Sequence, residues 1–574
     1  MENGLGYFQT RCMQCHSDTT KQYPTVKRIR QLTPEQIYAV VANPSRTEHD
    51  QGLTDAQKRR MAEFMGGYRQ IGASDAGDPK NFPNQCPSNP QMADPSQGPA
   101  WIGWGADIAN TRFQRSEAAG FTKADVPKLK LKWAWGFPLG ISAYNTPAVA
   151  SGRVFIGGDT GWIYSLDAKT GCWYWGYKTD VTVRGALSVG PVIGQGTARF
   201  AVYFGDAKAN VYAVDAQTGR LLWQRRVDDH WVARITAAPK LYNGVLYVPV
   251  SSSEEWQSGN PNYECCTGSG LVVALNANTG EQVWRWRLMD DPKPTKKNAN
   301  GVQLFAPAGG AVWNSPTIDP VRNALYVGTG DSMTDPASPY ADGVVALSLT
   351  DGKVLWSYTA TPNDVFMGGC NGQDKSLACP TQMGPDADIG NSPILRSLPD
   401  GRRVLITGIK QGELFALDPD DKGKLLWRAP AIPNQRGNIV WGGAADETTG
   451  YYGQGGPGGM SAVDLATGKN KWYVPVNAAG VRANNNAPAT MIPGVVFAAG
   501  TNGILHALST VDGSELWSYE TSKDYETVNK VAGANGGSVG SNGPVFAGGM
   551  MFVGSGNGVS AGDFGNVLLA FGVE

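Results

Sequence analysis

The chain has 574 residues, 41% of them apolar, with 18 Trp, 74 Gly and 36 Pro, a composition that buries a large core while giving many positions to turns, as an all-β array does. Acidic and basic residues nearly cancel to a formal charge of -1, and no Lys/Arg run marks a nucleic-acid surface, so nucleic acid is not an expected partner. No apolar run approaches the eighteen or so residues that cross a bilayer, so no membrane span is expected.

The opening, MENGLGYFQTRC, has no signal-peptide core, so a place outside the cytoplasm requires a leader removed or replaced by Met1. Residues 12 to 16 read Cys-Met-Gln-Cys-His, the spacing by which two thiols attach a c-type haem while the histidine ligates its iron. Cys12, Cys15 and His16 are therefore expected to bind haem, and no second Cys/His pair lies nearby to complete a zinc site instead. Gly4 and Phe8 precede Cys12 at four-residue intervals, as on one face of a helix. Thr33-Pro34-Glu35-Gln36 and Thr54-Asp55-Ala56-Gln57 are capping-box starts for two more helices, the second ending at Gly66-Gly67. Residues 1–75 thus read as an all-α cytochrome c domain and 76–100 as a linker. The loop NPSRTEHDQG offers no Met as sixth iron ligand; His49 is the strong donor in it, with Met61 and Met65 as alternatives on a face that looks buried. Two imidazoles would lower the haem potential relative to His/Met ligation.

The remaining cysteines group as Cys265 beside Cys266 and Cys370 nine residues before Cys379, leaving Cys86 and Cys172. The set suits an oxidising compartment and leaves open whether the last two pair.

From residue 128 one phrase recurs: an alternating strand ending in Ala-Leu or a relative, a turn with Thr-Gly or Asp-Gly, and a Trp. Its tryptophans are Trp175, Trp223, Trp284, Trp356, Trp427, Trp472 and Trp517, with Trp133 in LKLKWAW as an eighth that lacks its own turn. The last strand, NVLLAFG, lacks a following Trp, so first and last strands are expected to complete one blade and close a ring of eight. The turn supplies the reversal, and the indole fills the wedge between blades. Successive tryptophans lie 42, 48, 61, 72, 71, 45 and 45 residues apart, so the middle blades carry the insertions, where function is expected.

These repeats, over roughly residues 100–574, resemble the PQQ-dependent (quinohaemoprotein) alcohol dehydrogenases, eight-bladed propellers that hold pyrroloquinoline quinone on the axis. The haem module placed first, the phrase WIGWGADIANTRFQ and the Cys-Cys of NPNYECCTGSG look most like the cytochrome-linked polyvinyl alcohol dehydrogenase branch. The resemblance implies a mainly β fold with the N-terminal all-α cytochrome c domain, and three cofactors: PQQ, haem c and Ca2+. In VWNSPTIDPVRNALYVGTGD it implies Trp313 as the floor under the quinone and Asp331 as a calcium ligand where the family has Asn. ITAAPKLYNGVLYVPVSSSEE supplies Thr236, Ser251 and the calcium ligand Glu254, while VRGALSVG and GIKQGELFALD supply Arg184 and Lys410. Cys265 and Cys266 would form a vicinal disulfide on the quinone face opposite Trp313, although the pair sits later in the chain than is usual in the family. The base is an Asp on the loop SMTDPASPYADG; Asp335 and Asp342 both qualify, and Asp342 is preferred for its place just before a strand.

The implied reaction is periplasmic: calcium and Lys410 polarise the quinone, the Asp takes the hydroxyl proton, and electrons pass through the haem to a soluble cytochrome c-type acceptor. The implied substrates are secondary hydroxyls of polyvinyl alcohol or similar 1,3-diols. Two alternatives stand beside this: a quinohaemoprotein dehydrogenase for small alcohols, and a non-catalytic propeller scaffold.

Overall fold

The computed structural model describes residues 2–16, 23–49, 52–370, 378–476, 484–557 and 562–573. Eight antiparallel sheets, seven of four strands and one of five, follow one another around a ring. Blades 1 and 2 are built from Ala148–Ala150 to Trp173–Lys178 and from Ser188–Pro191 to Leu221–Arg226. Blades 3 and 4 run from Lys240–Tyr242 to Gln282–Arg287 and from Thr317–Asp319 to Val354–Thr359. Blades 5, 6 and 7 begin at Ile394–Ser397, Gly443–Ala445 and Thr490–Ile492. Blade 8 takes Val545–Ala547, Met550–Ser555 and Val567–Gly572 from the C-terminus and borrows its outer strand, Lys130–Gly136, from the front of the repeat region. Trp133 then stands opposite Ala570, as Trp223 stands opposite Ala213 and Trp284 opposite Ala274. Closure between the two ends removes the edges an open array would expose.

The repeat motif works as an interlock. The Trp223 indole N–H donates to the carbonyl of Ala277 in the next blade at 2.9 Å, and the ring lies flat on the turn of that blade. A Cβ at Gly280, whose φ is +72°, would meet that ring at 2.7 Å. The turn glycine is thus fixed twice, by its left-handed backbone and by the indole. At about 25 cal/mol per Å² and roughly 200 Å² per indole, each dock contributes on the order of 5 kcal/mol before entropy.

Within a blade, second-to-third-strand loops and blade-to-blade connectors emerge at the same end, because successive strands alternate in direction. The long insertions all use that end. They are the segment between Val245–Ser252 and Leu271–Asn276, the hairpin Lys293–Lys297/Gln303–Ala306, residues 329–342, and residues 360–393. One mouth of the ring is therefore heavily built over.

The N-terminal segment is helical, with Glu2–Arg11, Met13–His16, Pro34–Val41 and Asp55–Gly66 among its helices. Both expected capping boxes form, at Thr33 with Gln36 and at Thr54 with Gln57. Phe8, Ile37, Met61, Phe64 and Met65 make a small core of its own. Arg69, 1% exposed, fastens the segment to blade 1. It forks onto both oxygens of Glu35 at 2.7 Å and donates through Nε to the Asp180 carbonyl. Thr182 Oγ1 donates to the Tyr68 carbonyl and Lys208 Nζ to that of Leu32. Three disulfides form, Cys86–Cys172, Cys265–Cys266 and Cys370–Cys379. The first settles the pairing that spacing left open, and ties the 76–100 stretch to blade 1.

Candidate active site

At the built-over mouth lies a cavity of about 280 Å³ lined by Arg184, Arg234, Thr236, Ser251, Glu255, Trp313, Asp331, Asp388 and Lys410, among others. Trp313 presents a ring face to it. The opposite side of that indole packs on Gly390, where a Cβ would stand 2.0 Å from the ring, so the floor lies flat only because Gly390 has no side chain. Trp441 meets Trp313 edge-on at 5.3 Å and carries Arg184 over its own face at 4.9 Å. Lys410 Nζ lies 5.3 Å from the Trp313 centroid.

Two arginines enter this cavity without counter-ions: among the described residues neither Arg184 nor Arg234 makes an ion pair, and Arg234 Nε is buried with no hydrogen-bond partner. Burial first, and Arg234 nearby second, pull the Arg184 guanidinium down to about 10. Two like charges in a low-dielectric hollow call for an anion. Thr236 and Ser251 hydroxyls, 3.0 Å apart, line the same wall. A flat polycarboxylate matches this set: a ring face, two unpaired guanidiniums, hydroxyls and a lysine.

Facing the cations is an acidic corner. Oxygens of Asp331, Asp386 and Asp388 converge within 4.8 Å of one another. Lys410 Nζ donates to Asp386 at 2.6 Å and to Asp388, and Asp388 Oδ1 also accepts from the Asp331 amide at 2.7 Å. Burial opposes a charged Lys410, but Asp388 and Asp386 hold its pKa well above the usual value. Burial and the charges of Asp388 and Asp386 push the Glu255 carboxyl up to about 7, against the pull of Lys410 and Arg234. These hard oxygen donors suit Ca2+.

The structure brings together Arg184, Thr236, Ser251, Trp313, Asp331 and Lys410 as the sequence suggested, and turns other residues away. Glu254 is fully buried behind the wall. It accepts from the Tyr263 hydroxyl at 2.7 Å and from the Thr267 and Gly268 amides, with His230 3.6 Å away. Its oxygens are spent on shaping the 263–268 loop, and Glu255, one residue on in the same 3-10 turn, faces the cavity. Asp335 is exposed on a surface loop, where it accepts from the Thr381 amide. Asp342 is 1% exposed and lies behind Asp331, off the cavity wall. Cys265–Cys266 also lies off that wall, packed with Tyr263, Met333 and Met367; of these, Met333 also lines the cavity.

Sequence reasoning missed Arg234, Glu255, Trp441, Asp386 and Asp388. Arg234 was findable: it lies two residues before Thr236, on the same face of an extended stretch, and pairs with Ser251 across the sheet.

In the helical segment His16 Nδ1 lies 2.7 Å from the Pro24 carbonyl, which fixes the proton on Nδ1 and leaves Nε2 as a donor for metal. The His49 ring lies parallel to it within 16°, centroids 6.3 Å apart. Met61 Sδ is instead 3.7 Å from the Cys12 sulfur, and Met65 is wholly buried in the helical core. Among the described residues Cys12 and Cys15 join no disulfide. Met13 and Trp231 pack against both this core and the Cys265–Cys266 cluster, so the two regions touch.

An eight-bladed ring with a tryptophan-floored, arginine-lined cavity beside an acidic cluster fits the quinoprotein alcohol dehydrogenase class. A family model described as glucose/ethanol/alcohol dehydrogenase, beta-propeller domain, matches residues 101–373. A second, described as outer membrane protein assembly factor BamB, matches residues 341–566. The chain is 35% identical to polyvinylalcohol dehydrogenase of Pseudomonas sp, over all of this chain and 94% of that protein. It is 34% identical to that of Sphingopyxis sp. (strain 113P3), over all of this chain and 93% of that one. The solved quinohemoprotein alcohol dehydrogenase of Comamonas testosteroni shares the fold, with TM-score 0.60 at 19% identity over 88% of this chain and 84% of that one. The chain belongs to the polyvinyl alcohol dehydrogenase family and is a PQQ-dependent alcohol dehydrogenase.

Proposed function

We propose that this enzyme oxidises secondary hydroxyls of polyvinyl alcohol or similar 1,3-diols to ketones in the periplasm, using PQQ and Ca2+ in the propeller cavity and a haem c in the helical segment. The observation that carries it is the convergence of two uncompensated arginines, a bare Trp face and an acidic trio in one hollow, in a chain related end to end to polyvinylalcohol dehydrogenases. A scaffold gives no reason for that convergence.

Arg184, Arg234, Thr236 and Ser251 bind the quinone carboxylates, and Trp313 holds the ring plane. Asp331, Asp386 and Glu255 would hold calcium. Bound there, PQQ with calcium supplies the two-electron oxidant. Lys410, held over the Trp313 floor, would place its charge beside the bound quinone. Asp388, on the cavity wall and hydrogen-bonded to Lys410, accepts the substrate hydroxyl proton at its carboxylate.

Cys12 and Cys15 attach the haem and His16 ligates its iron through Nε2. His49, whose ring stands parallel to that of His16, would offer the haem iron a second imidazole. A haem held there would supply one-electron transfer toward a soluble cytochrome c-type acceptor, and the packing of Met13 and Trp231 on both regions supports that coupling. Three disulfides support the periplasm, and among the described residues no helix is long and apolar enough to cross a membrane.

The test loads the haem protein with PQQ and Ca2+ and follows haem reduction by polyvinyl alcohol, 2,4-pentanediol, 1-propanol and glucose. Polymer and diol should reduce it fastest. Reduction by 1-propanol alone would move the substrate to small alcohols, and none by any alcohol would sink the proposal.

A further inference from the structure

A second acidic trio, Asp331, Asp342 and Asp364, lies behind the cavity wall and shares Asp331 with the first. All three are buried, at 5%, 1% and 2% exposure. Some of their oxygens are accounted for: the Ala387 amide donates to Asp364 Oδ2 at 3.1 Å and, more weakly, to Asp331 Oδ1 at 3.3 Å. The others are not. Asp331 Oδ2, Asp364 Oδ1 and both oxygens of Asp342 are buried with no hydrogen-bond partner. Ligand oxygens of the three residues lie within 4.8 Å of one another. Gly384 makes room for this: a Cβ there would stand 1.6 Å from Asp364 Oδ1. Among the described residues none of the three makes an ion pair, since Lys410 is spent on Asp386 and Asp388.

Charge balance says what is missing. The two trios hold five aspartates between them, and among the described residues Lys410 is the one cation bonded to them. A single divalent ion at the cavity leaves the deep carboxylates uncompensated in a buried place, which is strongly unfavourable. With Glu255 counted as well, Lys410 and two divalent ions set five positive charges against six carboxylates, where one ion would leave three against six. Four unpartnered carboxylate oxygens on three residues are the start of a hard-cation shell, completed by backbone carbonyls or water.

We infer that Asp331, Asp342 and Asp364 form a second site, for a hard divalent cation, behind the quinone-side site, with Asp331 bridging the two. Its role is to keep the Asp331 carboxylate charged and aimed at the cavity, a positioning role. The inference needs only the deep trio and stands whether or not the cavity binds quinone.

The test counts metal in the full haem-containing chain, loaded with Ca2+ alone, gel-filtered and measured by plasma mass spectrometry, with a Mg2+ loading in parallel. PQQ uptake is titrated separately, so failure of the quinone reading is seen on its own. Wild type should hold two equivalents of divalent ion. Asp364→Asn and Asp342→Asn should each hold one, while Glu255→Gln keeps the deep equivalent. No equivalent in wild type, or a single one that Asp364→Asn leaves in place, would overturn the inference. So would two equivalents retained in Asp364→Asn, or the loss of both in that variant, which would mean that there are not two separate sites. If either variant fails to fold by its melting curve, the other and the wild-type count decide.

Discussion

Gly390→Ala is a one-methyl change that tests the cavity floor. The new Cβ would stand 2.0 Å from the Trp313 ring, so the indole must tip toward the cavity or the 389–391 backbone must shift. Overpacking of this kind costs about 1–3 kcal/mol. If the flat indole is the surface on which PQQ stacks, most of that cost falls on binding, and about 1.4 kcal/mol per factor of ten gives a loss of roughly 5- to 150-fold in PQQ affinity. The assay is quenching of tryptophan fluorescence as PQQ is added to Ca2+-loaded apoprotein, with the melting temperature in parallel. Gly98→Ala is the control, since a Cβ there meets nothing within 4 Å. Unchanged affinity in Gly390→Ala would refute the assignment of Trp313 as the floor.

Three further outcomes are expected. Asp388→Asn should lower kcat by about 10²- to 10⁴-fold, the usual worth of a general base, whereas Asp335→Asn on the exposed loop should leave turnover within about twofold in the same haem-reduction assay. The oxidised wild-type haem should lack the methionine–iron absorption band, and His49→Met should create it with a raised midpoint potential in a spectroscopic redox titration; a methionine band already in wild type would exclude His49. Asp159 is fully buried, and burial pushes its pKa up to about 7 although the Ile141 and Ser142 amides pull it down. A raised carboxyl pKa means that the folded state binds more protons between about pH 4 and 7, so stability contributed by the protonated form is lost as pH rises through that window. Asp159→Asn should remove up to about 4 kcal/mol of that pH dependence, read as a smaller fall in melting temperature between about pH 5 and pH 8; an unchanged fall would disprove the assignment.

The ring was legible because its information is local and repeated. Each Trp, the small residue opposite it (Ser165 for Trp175, Ala for the others) and the turn Gly between them lie within one short phrase, and seven copies point to an eighth split between the ends. The cavity was half legible. Thr236, Ser251, Asp331 and Lys410 sit on strands or just past their ends, where alternation helps decide which way a side chain points, and Arg184 and Trp313 lie on the short approaches to the next strands. Residues on loops and turns were harder. Glu254 and Glu255 are neighbours in a 3-10 turn, and only the packing of Tyr263 and the Thr267 and Gly268 amides decides that Glu254 turns inward. Asp342 resembles a base by its place before a strand, yet the loop carries it behind Asp331, while Asp386 and Asp388 arrive from a connector more than forty residues further on. Chain order gives no hint of that meeting; the shared end of the ring does.

Every role proposed for the cavity depends on PQQ binding between Trp313 and the two unpaired arginines, and a titration of Ca2+-loaded apoprotein with PQQ tests this most directly. Wild type should take up one equivalent, and Arg184→Gln with Arg234→Gln together should weaken uptake by at least about tenfold for each charge-assisted hydrogen bond removed. No uptake by wild type, or undiminished uptake by the double variant, would contradict that binding mode.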